Sequence, residues 1–376
     1  MARPAGVGVG DSRARAWLWT SALVTLGALA AGAVLAPPAT ASPVAALTWL
    51  LFLGSSVHVS ATAYLFTLPG VRAHARANPG RYLRAPAALI GLAVLAVVVL
   101  RPSQYGWVLL PYFCWQFFHF QKQNIGVVAL AASAFSVSGP GPAERRAFSL
   151  AGWAGVLALA SRPALLQLHL DAHLGALYDG AAALTLVAVC GGVRALLARP
   201  GAARPPGYCV VSLTSLGFFA PVFLFHSPYA AVAGMTIAHG LQYLLLVGMM
   251  SGGGEPGTDR VVGVAAFLTI ALLGGLALSG ASHLHAGPAA QRALFGLYLG
   301  LVMTHFVVDA GLWRLSQPFP RTLLASRLPY LVPPAAPLPS PAAAGLPRAR
   351  PPVLGTRHSA LGTRRSALGA RKAIDR

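Results

Sequence analysis

Apolar residues run along this chain in about ten stretches separated by short connections rich in Pro, Gly and Arg. A helix needs about 20 consecutive apolar residues to cross the hydrocarbon core of a bilayer, and most of the stretches meet that length. Their limits read as 17–36, 43–68, 85–100, 105–128, 147–161, 175–198, 208–225, 229–250, 261–280 and 291–313. The pattern predicts an all-α fold, a polytopic transmembrane helix bundle spanning 17–315. A cytoplasmic N-terminal segment (1–16) precedes it and a Pro/Ala/Arg-rich tail (316–376) follows it.

The polar connections give the orientation. Cytoplasmic loops collect Lys and Arg. With the N-terminus inside, the inner segments before the tail hold thirteen arginines: Arg3, Arg13, Arg15, Arg72, Arg76, Arg81, Arg84, Arg145, Arg146, Arg194, Arg199, Arg204 and Arg260. The outer loops hold three, Arg101, Arg162 and Arg292. The split predicts an even number of spans, both termini in the cytoplasm, and residence in a plasma membrane of bacterial type. The first run could precede a signal-peptidase site at Ala39-Thr40-Ala41, but it is longer than a signal h-region of about 7–15 residues, so an uncleaved helix is expected.

Composition agrees: 56% of residues are apolar, 10% are charged and the mean hydropathy is +0.65. The net charge of +20 raises nucleic acid as a partner. No aromatic-basic recognition module accompanies the arginines, so anionic lipid headgroups are the expected partners instead. The tail carries a seven-residue near-repeat beginning at Leu354, Leu361 and Leu368. One leucine per heptad beside a glycine cannot form a coiled-coil seam, and disorder is expected there. Cys114, Cys190 and Cys209 lie in or at the edge of apolar segments with no C-x-x-C spacing, so neither a disulfide framework nor a zinc knuckle is implied.

The candidate chemistry lies where a bilayer should exclude it. His58, His119, His239 and His305 each sit inside an apolar run, and Asp309 follows His305 by one helical turn. Ionisable groups at membrane depth are costly and by default serve a site in the bundle interior. All four histidines fall on even-numbered spans, which run from outside to inside. They lie roughly 10 to 15 residues from each outer end, about 15–22 Å deep at a rise of about 1.5 Å per residue. Four parallel helices can therefore bring them to one level. Polar neighbours three or four positions away share their faces: Gln116 and Gln123 with His119, Gln242 with His239, Thr62 with His58, and Asp309 with His305. Metal-binding imidazoles need such company, because the second ring nitrogen must be held.

The predicted metal ligands are thus His58, His119, His239 and His305. Asp309 is expected as a ligand or orienting group, and Gln123 and Gln242, with Gln116, as supporting catalytic donors. The expected cofactor is a metal ion, iron first, with zinc or haem as alternatives. A desaturase-like di-iron site would want about twice as many histidines in H-x-x-H or H-x-x-x-H pairs, which these four lack. Lys122 reads as a snorkelling interface residue or as a holder of an anionic headgroup. Histidines outside the spans, at His169, His173, His226, His283 and His285, read as solvated. In architecture, with single histidines on several helices, the chain is similar to bacterial carotenoid-cleaving membrane dioxygenases. Their local sequence patterns do not occur here, and no residue role is carried over from them.

The expected function is an integral membrane metalloenzyme, a non-haem iron oxidoreductase acting on a lipophilic small molecule such as an acyl chain or isoprenoid. The alternatives are a proton-coupled or ion transporter using the same residues as a relay, and a non-catalytic scaffold or assembly factor.

Overall fold

The computed structural model describes residues 8–38, 41–170, 174–253 and 259–332, with side chains from residue 12 onward. Every regular element among them is helical. Seven helices are long and apolar enough to cross a membrane, which makes this an integral membrane protein. They are α1 (Gly8–Val34), α2 (Ala45–Leu65), α4 (Gly80–Val99), α7 (Gly175–Leu197), α10 (Pro228–Gly252), α11 (Arg260–Ser282) and α12 (Ala289–Leu312). Between them lie α3 (Pro69–Ala77), α5 (Tyr105–Ala134), α6 (Pro142–Ser161), α8 (Pro206–Leu216) and α9 (Ala220–Leu224), and α13 (Pro318–Arg327) follows.

The other three predicted spans fall on helices of different character. The first is α5, whose middle is polar from Gln121 to Asn124; the second is α6, which opens with Glu144, Arg145 and Arg146. The third predicted span is broken between α8 and α9. Local chemistry sets many of the boundaries. Pro lies in the first turn of α3, α6, α8, α10 and α13, where its missing N–H costs nothing. Asp259 caps α11 by accepting from the Val261 N–H at 2.8 Å.

Connections predicted to share a membrane face do meet. At one end Arg199 forms a paired contact with Glu144, Nε to Oε1 and Nη2 to Oε2 both at 2.9 Å, and Tyr208 donates to the same carboxylate at 3.2 Å. Arg81 donates to the Ala310 carbonyl at 3.4 Å and Arg327 to the Gly253 carbonyl at 2.7 Å. Among predicted outer loops, Arg292 donates to the Leu100 carbonyl at 3.1 Å.

The packed region extends to Val332 rather than ending at 315. Helix α13 folds back, burying Leu324 and Arg327, with Leu328 and Leu331 buried just beyond it, so the predicted tail is overestimated at its start. Residues 333–376, with the near-repeat and the expected disorder, lie outside the described residues, as do residues 39 and 40 of the possible cleavage site.

Helix α10 runs through the centre of the bundle. Along its length α1 packs against it, and the two come close where Gly32 faces Gly234. The π-helical turn Leu53–Val57 of α2 crosses it where Gly54 meets Gly240. Without a hydrophobic drive between helices in lipid, close packing of small residues supplies the attraction. Leucines and valines such as Leu92 and Leu95 of α4, and Leu268, Leu273 and Leu276 of α11, point outward, as hydrocarbon-facing surfaces do.

Candidate metal centre

Helices α2, α5, α10 and α12 each contribute one histidine to a buried ring. The imidazole centroids lie 4.9 Å apart for His58 and His239, 5.0 Å for His239 and His119, 5.2 Å for His119 and His305, and 4.9 Å for His305 and His58. The diagonal from His239 to His305 is 6.3 Å. With a metal–nitrogen bond of about 2.0–2.1 Å, a ligating ring has its centroid roughly 3.2 Å from the ion, so four such rings sit about 5.2 Å apart in a tetrahedron, or about 4.5 and 6.4 Å apart in a square. The centroid spacings of the ring lie between these limits, but the donor atoms converge as two overlapping groups of three rather than as one set of four.

Two groups of donor atoms lie within 4.8 Å of one another: His58, His239 and His305, and His119, His305 and Asp309. His305 belongs to both. The Asp309 Oδ2 is 3.5 Å from His305 Nε2 and 3.7 Å from His119 Nε2. Both nitrogens of His239, and Nε2 of His119 and His305, lack a hydrogen-bond partner among the described residues, while the His58 ring lies against the Gly54 and Ser55 backbone. Buried polar atoms are almost always partnered. These nitrogens could take a ligand.

A layer of polar side chains lies one turn further along the four helices, at Thr62, Gln123, Tyr243 and Asp309, each four residues after its histidine. That shared offset is what parallel helices produce. Three of the four form a chain of hydrogen bonds whose proton directions can be assigned. Tyr243 OH donates to Asp309 Oδ1 at 3.1 Å. Its single proton being used, it accepts from Thr62 Oγ1 at 2.8 Å. Thr62, its own proton spent, accepts from His305 Nδ1–H at 2.6 Å. An imidazole protonated at Nδ1 carries a bare lone pair at Nε2. The relay therefore leaves the His305 Nε2 lone pair free, with the Asp309 carboxylate beside it.

Tyr243→Phe is expected to break this assignment. Thr62 would be free to donate to Nδ1, moving the ring proton to Nε2. Metal affinity should fall about 10–100-fold, as for other losses of a partner behind a ligand, while the thermal midpoint in detergent moves little. Metal titration of the purified variant checks this, and unchanged affinity would show the relay to be irrelevant.

The predicted glutamines sit differently. Gln123 donates to the His239 carbonyl and to Gln242 Oε1, both at 2.9 Å, and Gln242 donates to Thr25 Oγ1 of α1 at 2.6 Å. In this arrangement they tie α5, α10 and α1 together and reach no imidazole nitrogen. Gln116 Oε1 has no partner among the described residues. Phe120 stacks on His239 at 4.1 Å and Phe306 lies tilted against His119 at 4.7 Å, fixing two ring planes. Tyr243 and Thr25 are the additions that sequence reasoning missed. Tyr243 shares the helix face of His239 at a spacing of four, but a tyrosine in an apolar run carries no signal by itself.

Away from the centre, His283 bonds the Ser279 carbonyl through Nδ1 at 2.7 Å and His285 lies against Phe295. Neither they nor His169 or His226 join a group of metal-competent donors among the described residues; His173 lies outside those residues. No family model, curated protein or solved structure matches this chain.

Proposed function

We propose that the protein is an integral membrane metalloenzyme, a non-haem iron oxidoreductase acting on a lipid-soluble substrate, an acyl chain or an isoprenoid. The observation that carries this reading is the convergence of His119, His305 and Asp309 within 4.8 Å. Two imidazoles and one carboxylate form the donor set with which non-haem iron keeps positions open for reactants. His58 and His239 would complete the shell from the opposite side. The Nδ1 of His305 is engaged by Thr62, so only one lone pair of that ring is free, which favours a single ion per chain. Bound there, iron would supply one-electron and dioxygen chemistry.

The chain's own residues do the rest. Thr62 and Tyr243 orient His305 and Asp309, and Phe120 and Phe306 brace His239 and His119. A cavity of about 500 Å³ touches His119, Tyr243 and Asp309 but neither His58 nor His239. It would bring a substrate to the carboxylate side of the centre. Ten crossings with both ends in the cytoplasm, the topology that the arginine distribution favours, would place the centre at mid-to-inner depth in the hydrocarbon.

Metal analysis of the purified protein tests the reading. About one iron per chain is expected, lowered in each of the four single histidine-to-alanine variants. Protein that holds no metal, yet drives proton-linked uptake when reconstituted into liposomes, would make the same residues a relay of a carrier. Absence of both would leave a scaffold.

A further inference from the structure

The walls of the cavity beside the centre change character with exposure. His119, Tyr243 and Asp309 are buried, whereas Arg81, Lys122 and Arg314 are exposed, and all six line the same space. Much of the remaining wall is apolar, with Trp115, Phe118, Leu130, Leu246 and Phe306. Its volume of about 500 Å³ falls in the range of about 300–1,000 Å³ that encloses small-molecule ligands.

The three cations come from three places in the chain, the start of α4, the middle of α5 and the turn just after α12. Among the described residues none of them pairs with a carboxylate. Lys122 only overlies the Phe118 ring, 4.9 Å from its centre, and Arg81 makes a long bond to the Ala310 carbonyl at 3.4 Å and a contact with the Tyr82 hydroxyl, both neutral partners. Snorkelling explains a single interfacial lysine. It does not explain three unpaired cations gathered on one cavity. A fourth donor is present and is buried: Trp17 lines the same cavity at 4% exposure, and its Nε1–H has no partner among the described residues. Donors thus surround this space, and the one carboxylate on its wall, Asp309, is already held by Tyr243.

The geometry points to an amphiphile with one anionic head and an apolar chain as the occupant of this cavity. Its head would be held by Arg81, Lys122 and Arg314, and its chain would lie along Trp115, Phe118 and Phe306 toward His119 and Asp309. The inference deepens the proposed function by naming the substrate class and rests on that reading only for what happens to the chain once it is bound.

Tryptophan quenching by brominated probes tests it on the full-length protein in neutral detergent, since Trp17, Trp115 and Trp313 line the cavity. The probes are dibromostearate, the corresponding alkyl phosphate and the corresponding alcohol. The two charged probes should quench saturably and the alcohol at least about tenfold more weakly, the weight of a single charge-assisted contact. A preference between the charged probes would distinguish a fatty acid from a lipid phosphate. The double variant Lys122→Gln, Arg314→Gln should weaken the charged probes about tenfold or more and leave the alcohol unchanged. An alcohol that binds as well as the acid and the phosphate, or a double variant that binds all three probes like the parent, would overturn the inference. Iron analysis of the parent protein separates the two claims: a parent that holds iron but shows no head-group selectivity sinks only the amphiphile, and a parent that shows the selectivity but holds no iron sinks only the metalloenzyme.

Discussion

His305→Ala is expected to abolish metal retention, and to do so more completely than alanine at His58, His119 or His239. The ranking follows from connectivity. His58 and His239 belong to one group of convergent donors, His119 and Asp309 to the other, and His305 to both. Removing His58 leaves the set of two imidazoles and a carboxylate whole, and a reduced affinity should survive. Removing His305 leaves neither group with three members. A loss of more than a hundredfold in affinity, about 2.7 kcal/mol, is expected. The substitution also removes one of the two buried hydrogen bonds of Thr62, which costs about 0.5–1.5 kcal/mol of stability, so lost metal could be mistaken for lost fold. His305→Asn separates the two effects. Its amide can donate to Thr62 in place of Nδ1–H but offers nothing in place of Nε2. The asparagine variant should recover the thermal midpoint without recovering metal. Equal metal loss in all four alanine variants would instead describe a symmetric four-histidine site in which His305 has no special standing.

The histidines were legible because imidazoles in apolar runs contradict their surroundings. Their common depth followed from the alternation of arginine-rich and arginine-poor loops. Three of the four residues one turn further on were legible for the same reason, since Thr62, Gln123 and Asp309 are polar where lipid or core would favour carbon. What they bond to was not legible. Thr62 serves His305 and Tyr243 on other helices rather than His58 on its own. Gln123 reaches a backbone carbonyl instead of a ring nitrogen. Such choices depend on helix rotation, which a spacing of four does not set. Helix α5 shows the converse: its polar residues serve several ends, His119 in the histidine ring, Gln123 bonded to α10 and Gln121 bonded to the Phe148 and Ser215 carbonyls of α6 and α8. Helix α13 was hidden by prolines that read as a disordered tail. In the fold Pro318 occupies the first turn of the helix, where proline is at home.

Gly240→Ala is expected to damage both stability and the metal centre, although its side chain is a single methyl group. Gly240 lies one residue after His239, at the point where α10 crosses the π-helical turn that leads into His58. A Cβ at Gly240 would lie 2.5 Å from Gly54 Cα, and one at Gly54 would lie 2.6 Å from Ile237 Cα. These obstacles are backbone atoms, so no side-chain rotation relieves them and the two helices must separate. Overpacking in close-packed interiors costs about 1–3 kcal/mol, and the absence of a flexible neighbour places this case near the upper end. Because the same crossing sets the 4.9 Å spacing of His58 and His239, separation also pulls one donor group apart, and metal affinity should fall together with the thermal midpoint. Gly54→Ala should do the same. The double variant should cost less than the sum, since one displacement accommodates both methyl groups. Gly191→Ala provides the control, because a Cβ there meets nothing within 4 Å; it should leave metal content unchanged and stability equal or slightly higher. A Gly240→Ala protein with the parent's melting midpoint and full metal content would mean that the crossing is looser than its glycines imply, and that the histidine ring is held together by the hydrogen-bonded layer beneath it.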